Sequence, residues 1–209
     1  MEECYLCGLK LVKNRNKSRD HVPPNCIFPK KKPLNLITVP CCTGCNQKFK
    51  PLDEKMRNFV ASLSGDKSGK VAETARREIL RSSRLSAEFL SHTKEHPLLR
   101  DNKGNPRLLF FFDDNELRQW LSRIVKGLFF HREKRRMSDR AIFTVTKHPE
   151  LTPQPSMTFP LEEGLELRPY FVYGVVQQAN LNQWVLIFYD HIIFTVTVEV
   201  PNSEARLGQ

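Results

Sequence analysis

The 164 residues that follow Cys45 contain no cysteine, so all six cysteines fall between Cys4 and Cys45. A disulfide framework spreads its bridges along the chain it staples, and this distribution argues against one. Long apolar runs are also missing: no stretch approaches the roughly 18 residues that a membrane helix requires. The start, Met1-Glu2-Glu3, lacks the charged and then apolar pattern of a signal segment. There is no internal repeat and no low-complexity tract. These absences leave a globular chain, expected in the cytoplasm and without a membrane partner. At 209 residues and 40% hydrophobic content it has material for a real core.

Acidic residues are scarce where basic ones are dense. Residues 1–50 carry 10 Lys or Arg against 3 Asp or Glu, a balance of +7, and residues 51–140 carry 20 against 13, again +7. Residues 141–209 reverse this, with 3 against 7, or −4. A basic field over the first two thirds favours a polyanion, since phosphate neutralisation dominates protein affinity for nucleic acid. A solubilising surface accounts for the same charge equally well. Lys30, Lys31 and Lys32, ahead of Pro33, are the candidate phosphate contacts. The acidic C-terminal part suits contact with protein, a partner or a second copy of the chain, better than contact with DNA.

Four of the cysteines form two pairs with two intervening residues, Cys4 with Cys7 in "CYLC" and Cys42 with Cys45 in "CTGC". Each spacing lets two thiolates turn onto one metal ion, and two such knuckles complete a tetrahedral zinc site. Cys41 and Cys26 lack that spacing and read as small buried hydrophobes. Thirty-four residues separate the pairs, so the zinc should clamp the base of a loop containing "SRDHVPPNCIFP", Ser18 to Pro29. In that loop Asp20 stands beside His21, and two prolines follow closely, locking φ and removing backbone donors.

Organisation along the chain follows from periodicity. Phe49, Leu52, Met56, Phe59, Val60 and Leu63 have helical spacing and predict a helix leaving the second knuckle, with Pro51 near its first turns or marking a kink. Residues 65–69 read as a loop, 70–92 as one or two basic helices, and 96–107 as a connector. "LLFFF" at 108–112 is a short strand or part of a buried helix. Asp113, with Glu116 three residues on, caps a helix running to Arg136, whose apolar side holds Leu117, Trp120, Leu121, Ile124, Val125, Leu128 and Phe129. Its basic end suits the helix dipole, and His131 there reads as a helix-end residue. His92, His96, His148 and His191 look incidental. Beyond residue 140 the β-branched and aromatic segments read as strands. The expected class is α+β, with a zinc-bound N-terminal unit over 1–65 and a helical, then β-rich, part over 66–209.

The ordered elements Cys4-x-x-Cys7, Asp20-His21-Val22-Pro23, Asn35-Leu36 before an apolar run, and Cys42-x-x-Cys45-Asn46 opening a helix resemble the HNH endonucleases, in their zinc-stapled branch with a ββα-metal active site. The resemblance covers about residues 1–60. It implies metal-dependent hydrolysis of phosphodiesters, double-stranded DNA being the foremost substrate, with restriction or phage defence as a candidate setting. His21 would activate water, with its ordinary pKa near 6.5. Asp20 and Asn46 would offer oxygens to Mg²⁺ or Mn²⁺, and Asn35 would orient the histidine, with Asn25 an alternative. The family's last histidine is Asn46 here. A catalytically silent nucleic-acid-binding or interaction module is the rival reading, and it needs none of Asp20, His21 and Asn46.

Overall fold

A computed structural model describes residues 2–28, 32–63, 87, 91, 93–100, 106–110, 113–148, 167–168, 170–178, 180–190 and 192–200, with 61–63, 93–100 and 106–110 described by backbone alone. Strand β1, Lys17–His21, pairs antiparallel with β2, Thr38–Cys42, in a register that sets Lys17 against Cys42, Asp20 against Val39 and His21 against Thr38. Helix α1, Thr43–Leu63, starts where β2 ends. Its apolar residues recur every three or four positions, so Met56, Phe59 and Val60 are buried together and Leu52 packs beside them. Pro51 lies inside this helix, not at its start.

Strands β3, Thr93–Arg100, and β4, Pro106–Phe110, form an antiparallel hairpin, so the connector expected over 96–107 is in large part strand. The register shifts between His96 and Arg100, and Pro97 falls within that irregular stretch, where a residue without an N–H costs no ladder bond. The loop and helices expected at 65–92 lie outside the described residues, apart from single helical positions at 87 and 91.

Helix α2, Asp114–Glu133, is capped by Asp113, whose side chain accepts from the Asn115 N–H at 2.8 Å. Glu116 does not close a capping box; it pairs with Lys55 of α1 at 2.6 Å. The helix stops three residues before Arg136, because Lys134 turns left-handed at φ 55°. Strands β5, Ile142–His148, β6, Phe171–Gln178, β7, Leu181–Phe188, and β8, Ile192–Glu199, make one antiparallel sheet in the order β5-β8-β7-β6. The fold is therefore of the α+β class.

A single buried cluster extends from Cys4 through α1 and α2 to Val198. Trp120 of α2 stacks on Phe188 of β7 at 5.3 Å, and the Tyr189 hydroxyl donates to the carbonyl of Ile27 at 2.7 Å. The boundary drawn near residue 65 lies outside the described residues, and the described residues on either side of it share this core. No helix among the described residues is long and apolar enough to cross a membrane.

Candidate metal centre and hydrolytic site

The sulfur atoms of Cys4, Cys7, Cys42 and Cys45 all lie within 4.8 Å of one another. Zinc–sulfur bonds of about 2.3 Å in a tetrahedron put sulfurs about 3.8 Å apart, and Cys7 Sγ stands 3.8 Å from Cys42 Sγ. Local structure builds the cage. Gly8 adopts φ +72° and its N–H donates to the Cys4 carbonyl at 2.9 Å, closing the first knuckle in a conformation that favours glycine. The second knuckle uses the strand-to-helix junction, where the Cys45 N–H points to Cys42 Sγ at 3.3 Å. Strand alternation separates Cys42 from Cys41, which faces the core opposite Ser18 and is fully buried, as expected of a small hydrophobe. Its thiol still reaches Cys4 Sγ at 3.9 Å. The hydrogen bond with Cys41 holds the Cys4 thiol down at about 4, whereas burial pushes the Cys7 and Cys45 thiols up. Such crowded sulfurs, with opposed proton affinities, are a donor set that fits a soft tetrahedral cation such as zinc.

The hairpin clamped by this cage presents its residues on two faces. Lys17 and Arg19 are exposed and His21 is half-buried, all on one side of β1, whereas Asp20 turns inward and is 4% exposed. Val22, Pro23 and Pro24 are buried directly after His21, which fixes the strand end. Burial pushes the His21 imidazole below its ordinary pKa; Asp20 opposes this shift and Lys32 adds to it. At neutral pH the ring is uncharged and can accept a proton.

Asp20 sits in a buried polar network. Arg123 of α2 places Nη2 2.7 Å from each carboxylate oxygen and Nε 3.1 Å from Oδ2, and the Tyr5 hydroxyl donates to Oδ2 at 2.6 Å. Arg123 Nη1 also donates to Asp53 Oδ1 of α1 at 2.5 Å, and Trp120 Nε1 to the same oxygen at 3.1 Å. The Phe49 ring lies 4.8 Å from the guanidinium carbon. Burial disfavours the Arg123 cation, but Tyr5, Asp53 and Asp20 outweigh it and raise its pKa. Burial pushes the Asp53 carboxyl up against the opposing effect of Arg123. Removing one partner from a pair this deeply buried costs about 3–5 kcal/mol.

Asn46 occupies the first turn of α1 and spends its amide nitrogen on Ser18 Oγ at 2.8 Å and on the Arg19 carbonyl at 3.2 Å. Asn35 lies in an exposed turn ahead of β2, and Asn25 opens a short 3₁₀ turn; among the described residues neither bonds His21. The structure thus brings the four cysteines together and ties Asn46 to β1, but it separates Asp20 from the face of His21. The expected oxygen pair for a catalytic Mg²⁺ or Mn²⁺, Asp20 with Asn46, does not fit as a donor set in this arrangement, because both Asp20 oxygens already accept from Arg123.

Sequence reasoning missed Tyr5, Asp53 and Arg123, and it placed Trp120 in the core without its hydrogen bond to Asp53. The readable signal was a pair of opposite charges on two apolar stripes: Asp53 between Phe49 and Met56, and Arg123 between Trp120 and Gly127. Comparison with family models, with curated proteins and with solved structures finds no match for this chain.

Proposed function

We propose that the chain is a zinc-stapled endonuclease of the HNH type that hydrolyses phosphodiester bonds, with double-stranded DNA as substrate. One observation carries this reading: a half-buried His21, its pKa pushed down by burial, ends the first strand of a strand–strand–helix unit on the same face as Lys17 and Arg19, and four clustered cysteines hold the other end of that unit, where Lys17 pairs with Cys42. Phosphodiester hydrolysis needs a base at the attacked phosphorus and cations along the backbone, and that strand face offers both. His21 takes the proton from water, Arg19 holds the phosphate chain, and the structural zinc, bound by Cys4, Cys7, Cys42 and Cys45, keeps β1, β2 and α1 in register. The reading carries Mg²⁺ or Mn²⁺ as the family's catalytic cation. Of its two expected ligands only Asn46 keeps its oxygen outside the contacts described above. The acidic segment over 141–209, which includes the four-stranded sheet, is assigned to the selection of substrate or protein partner.

Supercoiled plasmid incubated with the full chain and Mg²⁺ or Mn²⁺ tests the proposal. The parent should nick or cut it, EDTA should stop the reaction, and His21→Ala should lower the rate by about 10²- to 10⁴-fold while leaving zinc content and DNA binding in place. Equal rates for parent and His21→Ala would sink it. The inward turn of Asp20 favours a second reading, a nucleic-acid-binding module without catalysis. Plasmid binding with no cleavage in either cation is its signature.

A further inference from the structure

His21 is flanked by two residues that one face of α2 holds in place. Asp20 and Val22 lie two apart, so they point to the same side of the strand end, opposite His21. Arg123 and Gly127 lie four apart, on one face of α2. Arg123 grips Asp20, and Gly127 lies against Val22 so closely that a Cβ on the glycine would come within 2.5 Å of Val22 Cγ2. The Val22 N–H also donates to the Ile37 carbonyl at 3.0 Å. A helix some hundred residues further along the chain therefore sets both neighbours of the proposed base.

We infer that Asp20 is a positioning residue for His21, fixed through Arg123, and not a ligand of the catalytic cation. A hard cation at Asp20 would need an oxygen lone pair at about 2.0–2.1 Å. Each Asp20 oxygen is already 2.7 Å from a guanidinium nitrogen, so that ion would meet the positive charge of Arg123 inside a buried site. Tyr5 occupies a further direction on Oδ2. Arg123 is itself held by Asp53, with Trp120 donating to the same carboxylate. The network thus joins four parts of the chain, the first knuckle, β1, α1 and α2, and holds β1 at the residue just before His21.

The kinetic arm of this inference rests on the endonuclease reading; the spectroscopic arm does not. In zinc-loaded full-length protein, Asp20→Asn and Arg123→Gln should each lower the maximal cleavage rate by about 10²-fold, the scale of a small misplacement of a catalytic group. Half-saturating Mn²⁺ should not change, the double variant should be no worse than either single one, and Arg123→Lys should recover part of the rate. The His21 ring NMR signals should shift in Arg123→Gln as they do in Asp20→Asn. The inference is overturned if Asp20→Asn alone raises half-saturating Mn²⁺ tenfold or more, or if it abolishes Mn²⁺ broadening of the His21 signals. His21 signals unchanged in both variants also overturn it. Should a charged variant fail to fold, Tyr5→Phe removes a single hydroxyl from the network and should give a several-fold rate loss at constant Mn²⁺ requirement; a changed requirement counts against the inference. A parent that leaves DNA intact removes the endonuclease reading, and the ring signals then decide the positioning role by themselves.

Discussion

Gly127 of α2 and Val22, the residue after His21, are in such close contact that a Cβ at 127 would lie 2.5 Å from Val22 Cγ2 and 3.0 Å from Cγ1. Val22 is 2% exposed, β-branched and followed by buried prolines, so it cannot yield as the tip of a long side chain could.

Gly127→Ala should therefore destabilise the protein. Alanine gains about 1 kcal/mol of helix propensity over glycine, but overpacking a rigid core contact costs about 1–3 kcal/mol and wins where the neighbour is fixed. Thermal unfolding should show a lower Tm, and adding Val22→Ala to Gly127→Ala should cost less than Val22→Ala does in the parent. A Tm equal to or above the parent's would show that the helix moves away freely.

Zinc removal should be the larger perturbation. A four-thiolate zinc site contributes about 10–16 kcal/mol of apparent binding energy, comparable to the about 5–15 kcal/mol that holds a typical domain. Protein as purified should contain about one zinc per chain. A chelator, or Cys42→Ser, should lose hydrogen-exchange protection first at β1 and β2, whose register the cage fixes. Protein free of zinc, with protected β1 and β2, would refute the assignment.

The parts of the molecule that were legible in the sequence are those set by local chemistry. The two knuckle spacings brought four cysteines onto one point, and helical periodicity found α1 and α2, including the cap at Asp113. The strands after residue 140 followed from β-branched and aromatic runs. What periodicity could not show was which distant elements meet. Arg123 was passed over because a charge on an apolar stripe has no local explanation; its reason is Asp20, 103 positions away. The short strand that was one of two readings of 108–112 is part of β4, but β3 and its pairing were missed for a related cause, since His96-Pro97 signals a break locally and only the pairing partner shows that the strand continues. Adjacency in sequence also misled. Asp20 and His21 read as one functional pair, whereas a strand sends neighbours to opposite faces.

The half-buried His21 gives stability a defined pH dependence. Its pKa is lower in the folded protein than the ordinary 6.5, so below that value the unfolded chain binds more protons than the folded one. Stability from this site is fully present above about pH 6.5 and declines as pH falls through the window down to the folded value. Asp53, raised by burial, acts with the opposite sign, losing stability as pH rises from 3.8. The difference between parent and His21→Gln separates the two. Denaturant unfolding from pH 7.5 to 5 should show a shallower acid decline for His21→Gln, and parallel curves would mean that His21 titrates alike in both states.

Nucleic-acid binding should depend unequally on the two cations of the β1 face. Lys17 and Arg19 both project outward, but Lys17 is ion-paired with Glu2. A lysine already neutralised by a carboxylate releases fewer counterions when it meets a phosphate, so its deletion changes affinity less. Arg19→Ala should weaken duplex DNA binding across unrelated sequences and reduce the slope of log K against log salt by about 0.9, the value for one phosphate contact. Lys17→Ala should reduce the slope by less, and Glu2→Gln should strengthen binding by freeing the lysine. Lys32 is exposed ahead of β2 and is the member of the Lys30, Lys31 and Lys32 run that lies within the described residues. Its substitution should act as Arg19→Ala does if the loop lies along the same phosphate track. Fluorescence anisotropy with a labelled duplex between 50 and about 200 mM salt measures all four variants over the range where contacts of this kind dominate. If Arg19→Ala keeps the parent's affinity and slope, the strand face is not where the backbone docks, and the assignment of His21 to phosphodiester chemistry loses its substrate.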